Sequence, residues 1–275
     1  MTLIILKISI TILVILCLTW IAEKASPRTA GILSGYPIGT ALVLFFYGIQ
    51  VGPGFAVATV PYNLLGHLSA LVFVYFYFLG SRDSTLGSTI LASICALGGY
   101  LTAAWIMSGL TPSLLSGAAI SFSSIALFTF LFRKIPNTTI DHSTPYTPAM
   151  LLFRLIFSTA IVLIITGLAQ SVGVRWAGFL SAFPLVVYPL LALIHLNYGA
   201  PRAHTVLKNF PRGLWTVLTY SLTISWAYSR FGVYLGTLLG YFAATAVLLL
   251  VNWKVFFQSR ASVLRLGRMW REAKL

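Results

Sequence analysis

Acidic side chains are what this sequence has least of: four Asp and Glu among 275 residues, against 18 Lys and Arg. They are Glu23, Asp83, Asp141 and Glu272, all between or at the ends of apolar runs. Metal-dependent phosphotransferases and membrane-embedded glycosyltransferases need acidic metal ligands at the reacting centre, so this placement argues against both. Proton- and sodium-coupled carriers commonly use intramembrane carboxylates. A carrier built on this chain either lacks such coupling, works through His67 or His195, or binds ions through backbone carbonyls. Charge of either sign is thin, at 8% of residues, where ordinary soluble domains carry about 25%. Cysteine is limited to Cys17 and Cys95, both inside apolar segments, which gives no disulfide framework and no metal site. A phosphate-binding glycine loop, a zinc spacing and a nucleophile elbow are all missing. The contiguous Asp141, His142 and Ser143 are no triad, because triad members meet through the fold. The expectation is a protein that is not an enzyme and holds no cofactor.

What is present is apolar length. Hydrophobic residues make up 59% of the chain, in recurring runs of about 20 residues, the length that crosses a bilayer core. The alternating short strands of a membrane β-barrel are not found. The pattern predicts an all-α polytopic membrane protein with about nine transmembrane helices, near 2–22, 30–50, 55–80, 85–109, 113–133, 148–172, 177–197, 211–230 and 232–253. The first run resembles a secretory signal but lacks a charged start and a small-residue cleavage site, and is read as a retained helix. Residues 135–148, polar and proline-bearing, read as the linker between two halves.

An internal repeat organises the chain. Shifting it by 147 residues lays RTAGILSGYP at 28–37 over RWAGFLSAFP at 175–184, with identity at Arg, Ala, Gly, Leu, Ser and Pro. The same shift pairs Lys7 with Arg154, Thr19 with Thr166, Gln50 with Asn197, Gly52 with Gly199 and Gly66 with Gly213. The units are residues 1–109 (four spans), 110–147 (one span and a cytoplasmic loop), 148–254 (four spans) and a basic tail, 255–275. Four spans plus one put the second copy in the membrane upside down, a 4+1+4 inverted repeat. Charge agrees: Gly52 to Gly66 has no Lys or Arg, whereas Gly199 to Gly213 has Arg202, Lys208 and Arg212. Positive residues mark cytoplasmic loops, so the N-terminus is expected outside and the C-terminus in the cytoplasm. The tail, with Arg260, Arg265, Arg268, Arg271 and Lys274 around Val263, Leu266 and Trp270, reads as a C-terminal amphipathic helix on the anionic inner leaflet. The excess positive charge thus points to lipid headgroups and not to nucleic acid.

The stretch WAGFLSAFPLVVYPLLALIH at 176–195 resembles the GlpM-like family of small bacterial inner-membrane proteins with four spans. In that family an Ala-Gly, a proline-bearing apolar stretch and an Ala-x-Ile-x-His-like ending occupy the second span. The resemblance extends through 151–254 and more weakly over 3–109, where Gly48 replaces the histidine. It implies a duplicated four-span fold in a bacterial cytoplasmic membrane, and a link to glycerol-phosphate metabolism or exopolysaccharide production. The topology is also similar to the inverted repeats of drug/metabolite transporters.

Candidate substrate-binding residues follow from the paired segments. Ser34, Tyr36 and Pro37 match Ser181, Phe183 and Pro184, and a proline inside a span frees backbone carbonyls at depth. The alternative is a packing kink, with Gly31 and Gly178 allowing close contact. Tyr188, beside Pro189, makes the seventh span the one expected to be discontinuous. His67, near Tyr62 and Asn63, is an ionisable group within a span, either functional or bonded to a neighbour. His195, Gln50 and Asn197 end their spans, where they line an entrance or meet water. Lys7 and Arg154 are expected to snorkel to headgroups; facing inward instead, they would favour anions. The functional expectation is a secondary transporter or flippase for a small polar or anionic solute or a lipid-linked intermediate. The alternative is a non-transporting scaffold in envelope biosynthesis.

Overall fold

The computed structural model describes residues 2–23, 27–138 and 147–272, with side chains for 2–17, 28–138 and 147–252. The expectations for Asp141, His142 and Ser143, and for the side chains of the basic tail, fall outside the described residues. Every regular element among the described residues is helical: α1 Thr2–Glu23, α2 Pro27–Ser34, α3 Ile38–Gln50, α4 Pro53–Gly80, α5 Leu86–Ser108, α6 Leu114–Leu131 followed by a 3-10 turn Phe132–Lys134, α7 Pro148–Ser181, α8 Val187–Tyr198 and α9 Ala200–Glu272.

Local chemistry sets the ends. The side-chain oxygens of Thr85, Ser113 and Thr147 accept from the amides of Ser88, Ser116 and Met150, capping α5, α6 and α7. Pro53 and Pro148 stand in first turns, where no amide is needed. Gly52 (φ 126°) and Gly199 (φ 86°) turn the chain into α4 and α9 through left-handed backbone open to glycine. Gly173 (φ 73°) and Gly232 (φ 74°) break α7 and α9 internally, and Asn252 bends α9 again. Beyond that bend the helix continues through residue 272.

Among the described residues, six helical stretches are long and apolar enough to cross a membrane: Arg28–Gln50, Pro53–Gly80, Leu86–Ser108, Leu114–Lys134, Pro148–Ser181 and Ala200–Asn252. Their outward faces carry Trp105, Leu115 and Phe242, each at least 70% exposed. Large apolar side chains bared in this way face hydrocarbon. α4 lies at the centre, packed on α5, α6, α7 and α9. The structure redraws two expected spans, 30–50 and 177–197, as pairs of shorter helices joined by bends at 35–37 and 182–186. α9 begins at Ala200 and not near 211, because Pro201 sits harmlessly in a first turn and the polar residues after it bond to neighbours.

Element boundaries and packing recur at the 147-residue offset. α2 covers 27–34, and the last helical piece of α7 covers 174–181. A side chain at Gly31 would lie 2.5 Å from the carbonyl of Val206, and one at Gly178 would lie 2.6 Å from that of Thr59. Gly213 packs on Gly35, and Gly66 on Ala182. Each of these contacts joins the first half to the second. The two glycine turns stand at opposite ends of α4: Gly52 precedes its first turn, while Gly199 lies against Ser84, just beyond its last. At 28 residues, α4 is about 42 Å long.

Candidate functional site

The two bends adjoin at the middle of the bundle, where Gly39, just after the first, meets the Leu185 side chain of the second. Ser34 and Ser181 are buried and donate back to the carbonyls of Gly31 and Gly178, at 2.8 and 2.7 Å. Pro37 and Pro184 are buried in the bends. Backbone carbonyls around the second bend have been found partners: Tyr47 donates to Ala177 O at 3.1 Å and Tyr100 to Phe179 O at 2.6 Å. Around the first, Thr216 donates to Gly35 O at 3.3 Å. In hydrocarbon an unpaired carbonyl would be costly, and these hydroxyls remove that penalty. Their positions in sequence gave no hint of the role.

Asn63 is the centre of a buried polar cluster. Its Nδ2 donates to Ser181 Oγ, and Ser221 Oγ donates to its Oδ1, both at 2.8 Å. Helices α4, α7 and α9 are thereby pinned together beside the second bend. One turn along α4, His67 is fully buried, with Nδ1 hydrogen-bonded to Ser121 Oγ of α6 at 2.7 Å and Nε2 unpartnered. Tyr36 is hydrogen-bonded to Thr245 at 2.8 Å and stacks on Tyr241. Phe183 packs edge-on against Tyr100 and Phe73, and Tyr188 against Phe73 and Phe157.

The span-end residues divide. His195 is buried, with Nε2 2.6 Å from the Asp83 carbonyl and Nδ1 3.2 Å from the Tyr77 hydroxyl, which ties α8 to the loop after α4. In that loop Asp83 accepts from the hydroxyl and amide of Thr85, which holds its carboxyl below the usual range. Asn197 is exposed and donates to Leu193 O. Gln50 is half-buried and accepts from Lys7 Nζ at 2.5 Å. Lys7 also donates to Thr166 at 2.8 Å. Lys7 and Arg154 are 4% and 2% exposed, so both point into the bundle and do not snorkel. The physical reason is the polar acceptor set waiting for Lys7 on α3 and α7, which substitutes for headgroup water.

A cleft of about 530 Å³ opens between α6 and α9, lined by Ala126, Thr129, Phe130, Arg133, Asn137, Lys208, Arg212 and Trp215. Sequence reasoning used Lys208 and Arg212 only as markers of membrane orientation. Among the described residues, no group of three His, Cys, Asp or Glu is arranged to hold a metal ion. No family model matches the chain, and neither a curated protein nor a solved structure matches it.

Proposed function

We propose that the chain is a secondary transporter or flippase in which two inverted four-span copies, joined by α6, alternate access to a polar or anionic solute or a lipid-linked intermediate. The observation that carries this reading is the pair of helix bends at equivalent positions, meeting at Gly39 and Leu185 inside an apolar bundle. Bent or broken helices at a repeat interface are where inverted-repeat transporters hold substrate and where their halves rock. Gly52 and Gly199 at opposite ends of α4 support the inversion, and the Lys and Arg of 199–213, absent from 52–66, support an outer N-terminus and a cytoplasmic C-terminus for a nine-pass chain. The inward-facing Lys7 and Arg154 support an anionic cargo. Residence in a bacterial cytoplasmic membrane and kinship with the GlpM-like family rest on the 176–195 segment and belong to the same proposal.

Close packing at the bends, where Gly66 meets Ala182 and Gly213 meets Gly35, favours the second reading, a scaffold for envelope biosynthesis. Reconstituted vesicles separate the two. A fluorescent phospholipid in the inner leaflet, followed by external chemical quenching, should become accessible with the intact chain and several-fold more slowly with Pro37→Ala or Pro184→Ala. Comparison of metabolites and lipids between a deletion strain and its parent should show a matching accumulation. Equal rates for protein-containing and empty vesicles, with no accumulation in the strain, would leave the scaffold.

A further inference from the structure

The cleft between α6 and α9 is polar at one end and apolar at the other. At its mouth stand Arg133, Lys208, Arg212 and the carboxamide of Asn137. Arg28, at the start of α2, lies within electrostatic reach of both Lys208 and Arg212. Four cations therefore converge, and none of the lining residues is acidic. Repulsion among them is only partly relieved by the fold. Lys208 donates to the Ile135 carbonyl, and Arg133 stacks on Phe130 at 3.8 Å from the ring centroid. Two polar atoms nearby are buried and unpartnered: Nε of Arg28, and Oδ1 of Asn209, whose Nδ2 reaches Asn137 at 3.1 Å.

Deeper in, the lining changes to Thr129, Ala126 and Trp215, with Phe122 of α6 packed edge-on against Trp215 at 4.9 Å between ring centroids. Phe122 and Phe130 are both 56% exposed. On a membrane helix such faces meet acyl chains, so the cleft is open sideways to lipid as well as at its charged mouth. A free anion would use only the mouth.

We propose that this cleft binds a phosphate-bearing amphiphile, with the phosphate held by Lys208, Arg212 and Arg133 and the apolar chain laid along Phe130, Ala126 and Trp215. Guanidinium forks and an ammonium suit phosphate oxygens, and convergence of several gives preference for a doubly charged headgroup over a zwitterionic one. The proposal deepens the transport reading by naming the substrate class, and it rests on that reading for the site's place in a transport cycle. Binding itself does not depend on movement.

Calorimetric titration of the full chain in neutral detergent tests it, with short-chain phosphatidic acid, the matching phosphatidylcholine and inorganic phosphate as probes. Phosphatidic acid should saturate one site, and the other two should bind at least about tenfold more weakly. Lys208→Gln with Arg212→Gln should weaken phosphatidic acid by about tenfold or more, Arg133→Gln alone should weaken it several-fold, and Arg230→Gln should change nothing. Arg133 is exposed, so its variant reports even where the double variant fails to fold. Binding unchanged in the Arg133 variant, or in a folded double variant, overturns the site, as does equal binding of phosphatidylcholine. Inorganic phosphate binding as tightly as the lipid overturns the amphiphile assignment. A chain that binds phosphatidic acid but moves no lipid in vesicles keeps the cleft and loses the transport reading; one that moves lipid without binding here does the reverse.

Discussion

The crossing of α2 over α9 and the crossing of residues 174–181 over α4 are built on the same glycine contacts, 147 residues apart, yet they differ in polar content. Gly31 meets Val206, and Gly178 meets Thr59, so both helix pairs approach to backbone distance. Beside the second crossing, Asn63 links Ser181 to Ser221. The position equivalent to Asn63 in the first crossing is Phe210, and Ser34 bonds only to its own helix. His67 likewise corresponds to Leu214, Lys208 to Pro61 and Arg212 to Leu65. At these two crossings the glycines are shared across the offset, while Asn63, His67, Lys208 and Arg212 are not. Here the shared positions report architecture, and the unshared ones report chemistry.

The largest test of that division is all-or-none. With Cys17 and Cys95 replaced by Ala, Gly54→Cys and Pro201→Cys place single thiols at equivalent exposed positions beside the two glycine turns. A membrane-impermeant maleimide added to intact cells should label the first and reach the second only after permeabilisation. Labelling of both from one side would break the inverted arrangement, whatever the packing looks like.

Next in size are the glycine contacts. A Cβ at Gly178 would sit 2.5 Å from that of Tyr62, and one at Gly31 would meet the Val206 backbone at the same separation. Backbone cannot rotate away, so Gly31→Leu and Gly178→Leu should both abolish the monodisperse species in size-exclusion chromatography. The Ala variants should each lose about 1–3 kcal/mol, the usual penalty of overpacking, read as a lower midpoint in thermal unfolding. If one crossing tolerates Ala and the other does not, the packing equivalence is broken. Gly54→Ala, with open space around it, is the control and should be neutral.

The legibility of this chain follows the same division. Apolar length revealed the membrane helices, and the 147-residue correspondence was readable because small residues and prolines stand at matching positions. Pro37 and Pro184 marked bends that are there. The start of α9 was hidden because Pro201, Arg202 and His204 look like loop; His204 in fact hydrogen-bonds to Ser81 at 2.7 Å. The cleft was illegible for a different reason: its lining is scattered from Ala126 to Trp215, and Lys208 and Arg212 had a sufficient explanation as orientation signals. His195 attracted attention as a polar end, and the fold instead engages both its ring nitrogens. Hydroxyls from distant helices, such as Tyr47 and Tyr100, complete the carbonyls near the second bend, a pairing that no local pattern encodes.

The smallest expected effect lies in the polar cluster itself. Asn63→Leu removes a side chain that bonds to two serines, and Ser181→Ala removes one of its partners; both sites are buried. Interhelical hydrogen bonds in membrane proteins couple by about 0.6 kcal/mol on average, because an unfolded chain in the bilayer also finds partners. A double-mutant cycle in unfolding free energy should therefore give a coupling of about that size for Asn63 with Ser181. The equivalent cycle, Phe210→Leu with Ser34→Ala, should give none, since Phe210 has no polar group to lose. The coupling is small in either case, whereas vesicle flux should fall several-fold for Asn63→Leu alone if the cluster lies on the transport path. Coupling without any change of flux would make Asn63 a structural pin, and would move the search for substrate contacts to the basic cleft.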